Sequence, residues 1–459
     1  MDLVTQAPDI LARALANGGD FAELYLEEKT QTSLRLERGR IERVSSGTDI
    51  GAGIRLLYGD LTLYAHTNDI SFDGLVKAAD TVAAGAHAPK QQYCFEYTPE
   101  FFATPVRFRP HEISTEQKVQ FAVAADHAAR AYNPRVTQVQ VMYADSLRTV
   151  TVINSQGRFV QDVRPQIMFI VQVIASEKGT IQTGYEPIGG SLGFELFDEC
   201  DPEAVAVTAA SQACLMLEAQ PAPTGRMPVV ISSEAGGTMI HEAVGHGLEA
   251  DHIDKAMSKY CGKLNEMIAT PDITVVDDAT LPTRRGSFSV DDEGTPAQRT
   301  VLIDQGRLVR YMNDIKTARK MGHAPTGNGR RQSYQHKPVP RMTNTLIVPG
   351  KTDPADIVAS TDKGLFVRKM GGGQVNTLNG DFVFEVSEGY LIENGKIGAP
   401  VRGATLIGNG PEVLMNIEMV GCDLGFGIGT CGKDGQGAPV SDAQPTLRIR
   451  ELTIGGTGR

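Results

Sequence analysis

At 459 residues the chain is long enough for about two domains, because a single core stops growing at roughly 250–300 residues. Hydrophobic content of 41% and charged content of 22%, with no low-complexity tract, exclude a disordered or fibrous protein. A net charge of −11 without any basic block excludes nucleic acid as a partner and leaves peptides, small molecules and metal.

The opening MDLVTQAPDI has an acid at Asp2 and no basic segment before an apolar one, so it does not read as a secretory signal. Residues 4–16 then show helical apolar spacing. FAELYLEE, TSLRLERGRIERVSS and GIRLLYGDLTLYAH alternate at period two around turns at Gly39 and Gly59, which predicts antiparallel hairpins. A helix is expected over 71–85 and a proline-containing connector over 86–110, carrying Cys94.

The same order recurs. Ser114 and Gln117 fit a capping box at the head of a helix over 114–131, whereas the His-Glu pair of HEISTEQ (111–117) lacks a second histidine and reads as a solvated helix start. Strands follow at VTQVQVMYA, LRTVTVIN, RFVQDVRPQIMFIVQVIAS and GTIQTGYE, with a turn at Ser155, Gln156 and Gly157, and a helix near 201–218 closes the unit. The longest apolar run, IMFIVQVIA at 167–175, is about half the length of a membrane span, so no membrane partner is expected and a cytoplasmic location fits.

QPAPTG at 220–225 breaks the helical pattern and sets the expected boundary between an N-terminal domain, 1–220, and a C-terminal domain, 221–459. Beyond it, VLIDQGRLVRYM and FEVSEGYLIENGKIGAPV read as hairpins, the second turning at Asn394 and Gly395 in type I′ geometry. The fold class is α+β, an antiparallel sheet with helices followed by a β-rich domain. Six cysteines (Cys94, Cys200, Cys214, Cys261, Cys422, Cys431) form no CxxC pair and are expected mostly as buried, reduced thiols.

Within GGTMIHEAVGHGLEAD (236–251), His241 and His246 flank Glu242 with one residue more than the usual zinc-protease spacing. At ~100° per residue, side chains five apart on a regular helix diverge by about 140° and cannot share an ion. A single π-type turn brings them together, and Gly245 is placed to allow it. Gly236, Gly237 and Gly245 each cost about 1 kcal/mol in a helix, which implies that something approaches this backbone closely. The preceding Ser232 and Ser233 are suitable N-caps. In this chemistry Glu242 is the general base toward a zinc-bound water. A catalytic zinc takes three protein ligands, and the residues alone leave His252, Cys261, Cys422 and Cys431 all open as the third.

Taken with IHEAVGHGLEAD, the stretches NGRRQSYQHKPVPRMTNT, GGGQVNTLNGDFVFEVSEGYLIENGKI, GATLIGNG and GTCGKDGQGAPV resemble the TldD subfamily of TldD/PmbA zinc metallopeptidases. The resemblance implies an N-terminal α+β domain joined to a β-rich one. It also implies one Zn2+ per chain on His241, His246 and Cys431, with Glu242 catalytic. It further implies small or unfolded peptide substrates, of leader-peptide or antitoxin type, enclosed in a dimer cavity. The dimer is either a homodimer or a heterodimer with a PmbA/TldE-like subunit.

Two other readings compete: a peptide-binding regulator with a structural zinc, and a cysteine nucleophile at Cys431. Arg330 and Arg331 read as carboxylate binders, a dimer contact or a structural ion pair; GGGQVN (371–376) lacks the ending of a phosphate loop; and DDEGTP (291–296) reads as a solvated turn or part of a lid.

Overall fold

The computed structural model describes residues 3–88 and 95–456. One seven-stranded sheet carries the first half, in the order Leu61–Thr67, Arg40–Tyr58, Phe21–Glu37, Val136–Asn154, Phe159–Glu177, the last flanked by Glu100–Ala103 and Thr180–Gly190. The two expected meanders therefore merge. Their first strands, Phe21–Glu37 and Val136–Asn154, pair antiparallel over fifteen residues, so each covers the open edge of the other.

Each half keeps its own helices and core. Leu3–Ala14 and Phe72–Ala83 bury Ile10, Leu11, Leu75 and Val82 against Leu24, Ile54 and Leu56. Thr115–Tyr132, capped by Ser114, and Pro202–Glu218, capped by Asp201, bury Ala122, Ala125, Ala206 and Ala209 against Val141, Phe169 and Val171. Small alanines on these helices let them lie close to the sheet. The strands outrun their apolar alternation: Lys29 to Gln31 and Asp145 to Ser146, which interrupt the pattern in sequence, lie inside continuous strands. The connector holds an unforeseen short strand, Glu100–Ala103, parallel to Phe159–Glu177, while Cys94 lies outside the described residues.

In the second half Lys363–Val375, Gly225–Ile231, Leu447–Gly455, Thr405–Asn409 and Asp381–Glu393 pair in sequence, and the first pairs again with the last. These five strands close into a ring around Val229, Ile231, Leu365, Phe384, Leu406 and Leu447. Asn394 and Gly395 both take positive φ, as a type I′ turn requires. All of GGGQVN but Asn376 is part of the paired strand Lys363–Val375, not a phosphate loop. A second, six-stranded sheet contains Val275–Asp278, Asn344–Ile347, Gln436–Gln444 and, at its edge, Gly425–Lys433.

The acidic 291–296 stretch is not solvated. Asp291, Asp292 and Glu293 are buried where the second half meets the first sheet; arginines pair with Asp292 and Glu293, while Asp291 accepts from the backbone N–H groups of Glu293, Thr295 and Gly329. Arg55 joins Glu23 at 2.8 Å to Glu293 at 2.5 Å, and Arg164 joins Asp162 at 2.9 Å to Asp292 at 2.6 Å. Arg331 pairs with Glu23 and is wholly buried, so of its expected roles the structural ion pair is the one observed. Such charges tolerate burial only when each is paired and hydrogen-bonded. The cysteines also differ from expectation: of the five described, Cys214 and Cys431 are buried, Cys200 and Cys261 partly so, and Cys422 exposed.

Candidate metal centre

Strand Gly225–Ile231 ends at Ser232, whose hydroxyl accepts from Glu234 N, and the chain turns at Gly236 with φ +67°. The helix that follows has three gauges in succession. Thr238–Ile240 is α, His241–Gly245 is π and His246–Leu248 is 3₁₀. The His246 N–H donates to the His241 carbonyl five residues back, which is the wide turn that the spacing demanded.

Each glycine has a steric reason. A Cβ on Gly245 would stand 2.0 Å from Met342 Sδ, and one on Gly237 would stand 2.3 Å from the Ala443 backbone nitrogen. Gly237 N also donates to Asp442 at 2.8 Å. Ile240 and Val244, on the other side of the turn, sink into the core of the closed ring. Packing on both sides, rather than helical propensity, fixes the distorted backbone.

The result is convergence. The rings of His241 and His246 stand 5.1 Å apart at 88°, and one nitrogen of each ring and Cys431 Sγ lie within 4.8 Å of one another. Cys431 Sγ is 3.3 Å from His246 Nε2. Of the four residues left open as third ligand, Cys431 alone joins the pair: His252 Nδ1 is 2.9 Å from the His246 carbonyl, Cys261 faces the Ile253 carbonyl, and Cys422 is exposed.

Sequence reasoning missed the outer layer. His246 Nδ1 meets Glu249 at 3.0 Å, and Lys433 Nζ bridges Glu249 at 3.1 Å and Asp251 at 2.6 Å. Its signal was legible in retrospect: Lys433 follows Cys431 by two positions on one strand and so shares its face. Burial would lift the Glu249 carboxyl, yet Lys433 and His246 outweigh it and hold it well below the usual range. Glu249 is therefore an anion that orients His246, as carboxylates behind metal-bound histidines do.

Burial would also raise the Cys431 thiol, but hydrogen bonds and charge from His241 and His246 bring it down to about 5. Burial pulls His246 down, and Glu249 with Cys431 raises it well above its ordinary value. Glu242, half-buried in the π turn, has its carboxyl raised by burial against the pull of both histidines. The cluster thus sets an acidified thiol beside two histidine rings, with a weakly acidic carboxyl next to them. A nitrogen-rich, single-thiolate donor set of three suits zinc with a fourth position left for a substrate. Beside this helix start a cavity of about 620 Å³ opens, lined in part by Gly236, Thr238, Met370 and Gly427.

The sequence matches three consecutive domains of one family: residues 22–86 the PmbA/TldA metallopeptidase domain 1, residues 108–217 its central domain and residues 224–456 its C-terminal domain. A Haemophilus influenzae protein named a metalloprotease TldD homolog is 41% identical over 450 residues, covering 95% of this chain and 93% of the relative. A Saccharolobus solfataricus protein named a zinc metalloprotease TldD homolog is 25% identical over 444 residues, covering 96% of this chain and 97% of the relative. Among solved structures, TldE from Thermococcus kodakarensis superposes with a TM-score of 0.78 at 18% identity over 98% of this chain and 100% of that one, a likeness of fold.

Proposed function

The chain belongs to the PmbA/TldD metallopeptidase family, and from that premise we propose that it is a zinc peptidase acting on small or unfolded peptides. The observation that carries this reading is the π turn, which brings His241 and His246 onto one side of the helix beside Cys431. The donor set fits the ion, and His241 Nδ1 is a buried polar atom that no described group satisfies. One zinc per chain would sit on these three residues and supply Lewis acidity to the scissile carbonyl and to a water.

The protein's own groups do the rest. Glu242 takes the proton of the attacking water on its carboxylate and returns it to the leaving amine, a task suited to a carboxyl whose affinity for protons burial has raised. Glu249 and Lys433 hold His246 in one orientation throughout. The location assigned is the cytoplasm; no described helix is long and apolar enough to cross a membrane. The assembly assigned is a dimer, with itself or with a TldE-like subunit, that encloses the site.

A Glu242→Gln protein should keep about one zinc per chain by elemental analysis while peptide cleavage falls at least ~100-fold, the usual worth of a general base. Wild-type cleavage by that variant would sink the mechanism, whereas zinc-loaded wild-type protein that binds peptides without cleaving them would favour a regulator with a structural metal. The thiolate character of Cys431 gives a cysteine nucleophile some standing. Chelation decides between them, abolishing activity in the zinc mechanism and sparing it in the thiol one.

A further inference from the structure

A second polar site lies on the other face of the strand that carries Cys431. Along Gly425–Lys433, Cys431 and Lys433 face the metal centre, whereas Thr430 faces a cavity of about 310 Å³ between the first sheet and the second half. Opposite Thr430, Pro439 also lines this cavity, as the pairing of the two strands requires.

The cavity floor is a row of cations. Lys29, Arg148 and Arg164 stand directly opposite one another across three neighbouring strands, on one face. Like charges in such positions repel, so the row is unfavourable without a counter-charge. The next row on the same face, Gln31, Ser146 and Gln166, is made of neutral hydrogen-bonding groups. From the second half, Arg285 and Arg330 complete the walls.

The two acids of the lining are already committed. Asp145 pairs with Lys118 at 2.6 Å, and Asp292 with Arg164 at 2.6 Å. Arg148 pairs with Glu27 at 3.2 Å. Among the described residues Lys29, Arg285 and Arg330 form no ion pair. Arg285 meets only neutral acceptors, the Gly429 carbonyl at 3.1 Å, Gln166 at 3.1 Å and Thr430 at 3.4 Å, and Arg330 donates to the carbonyls of Met342 and Pro439. Burial without a counter-ion pulls both guanidinium groups down to about 10, the response of cations that lack a partner.

We propose that this cavity binds an oxyanion, a carboxylate or phosphate group on a small molecule, between Lys29, Arg285 and Arg330. Its volume lies at the small end of ligand pockets. The site is separate from the metal centre, and an anion there would tether the strand of Cys431 through Arg285 without touching the metal.

The test is a thermal-shift and calorimetric titration of the full chain with inorganic phosphate and, separately, with succinate, each at ionic strength matched with chloride. Saturable stabilisation is expected from at least one, and the tighter of the two names the ligand's anionic group. Lys29→Met, a change on the partly exposed lip of the cavity, should weaken that binding at least fivefold. Gln166→Glu sets a carboxylate beside Arg285, and should raise the melting temperature in chloride and abolish the response to the probe. No saturable response to either probe, or an undiminished response in both variants, would overturn the assignment.

Discussion

At the scale of single residues, the metal centre depends on groups that touch no substrate. Glu249 reaches the site only through His246, yet it fixes which imidazole nitrogen is free. Glu249→Gln should weaken zinc binding about 10–100-fold, measured by competition with a chromophoric chelator, while the chain stays folded. Acidity gives a second expectation. Zinc must displace a proton from His246, which holds it more tightly than a free histidine, and below about pH 5 from Cys431 as well. Uptake should therefore strengthen as pH rises through neutrality and fail as pH falls through 5, which zinc content after dialysis at pH 8, 6 and 4.5 would reveal. A flat profile would mean that the three donors are not the ligands.

At the scale of elements, the decisive feature is one turn of helix. Gly245→Ala drives a methyl into Met342 Sδ, and either that side chain or the π turn must move. Overpacking of this kind costs about 1–3 kcal/mol. The expected outcome is a lower melting temperature together with lost zinc; in a Met342→Ala background, which itself lowers stability by leaving a cavity, adding Gly245→Ala should cost neither further stability nor zinc. If Gly245→Ala were as costly in the Met342→Ala background as in the wild type, the turn would be set by something other than this contact. The strand elements carry a related lesson. Lys29, Gln31 and Ser146 break the apolar alternation of their strands because they face the polar cavity between the two halves. Alternation reports which face meets a core, and it goes silent where a strand crosses from a core to a buried polar surface.

At the scale of the whole molecule, the two halves are joined by buried paired charges set beside apolar contacts, Val290 and Tyr334 packing on Tyr25, Val150, Val152 and Val160, and Ile315 on Phe21 and Leu57. Glu23, Arg55 and Arg164 come from the first sheet; Asp292, Glu293 and Arg331 come from the second half. Arg331→Met leaves Glu23 with one cation fewer in a site closed to water, and should cost about 3–5 kcal/mol in denaturant unfolding. Exposed pairs such as Arg107 with Asp198 should cost under about 1 kcal/mol when broken. Equal losses would mean that the interface is not held by these buried charges. The acidic stretch 291–296 was misread for the same reason: a run of acids looks solvated until the arginines that cover it, more than a hundred residues away in sequence, are brought beside it.

The sequence by itself determined the local geometry and the chemical type of the centre. Five-residue spacing of His241 and His246, with glycines where a helix resists them, required a π turn because helical rotation allows no other way to bring the two rings together. Hairpin turns at Gly39, Gly59 and Asn394 were equally local, since positive φ is a property of one or two residues. Spacing left open which of His252, Cys261, Cys422 and Cys431 stands beside the histidines; the family resemblance pointed to Cys431, but only the tertiary structure brought it there and decided which charges are buried together. Those outcomes depend on contacts between residues far apart in the chain, and a helix or strand pattern records which face of an element is covered but not what covers it.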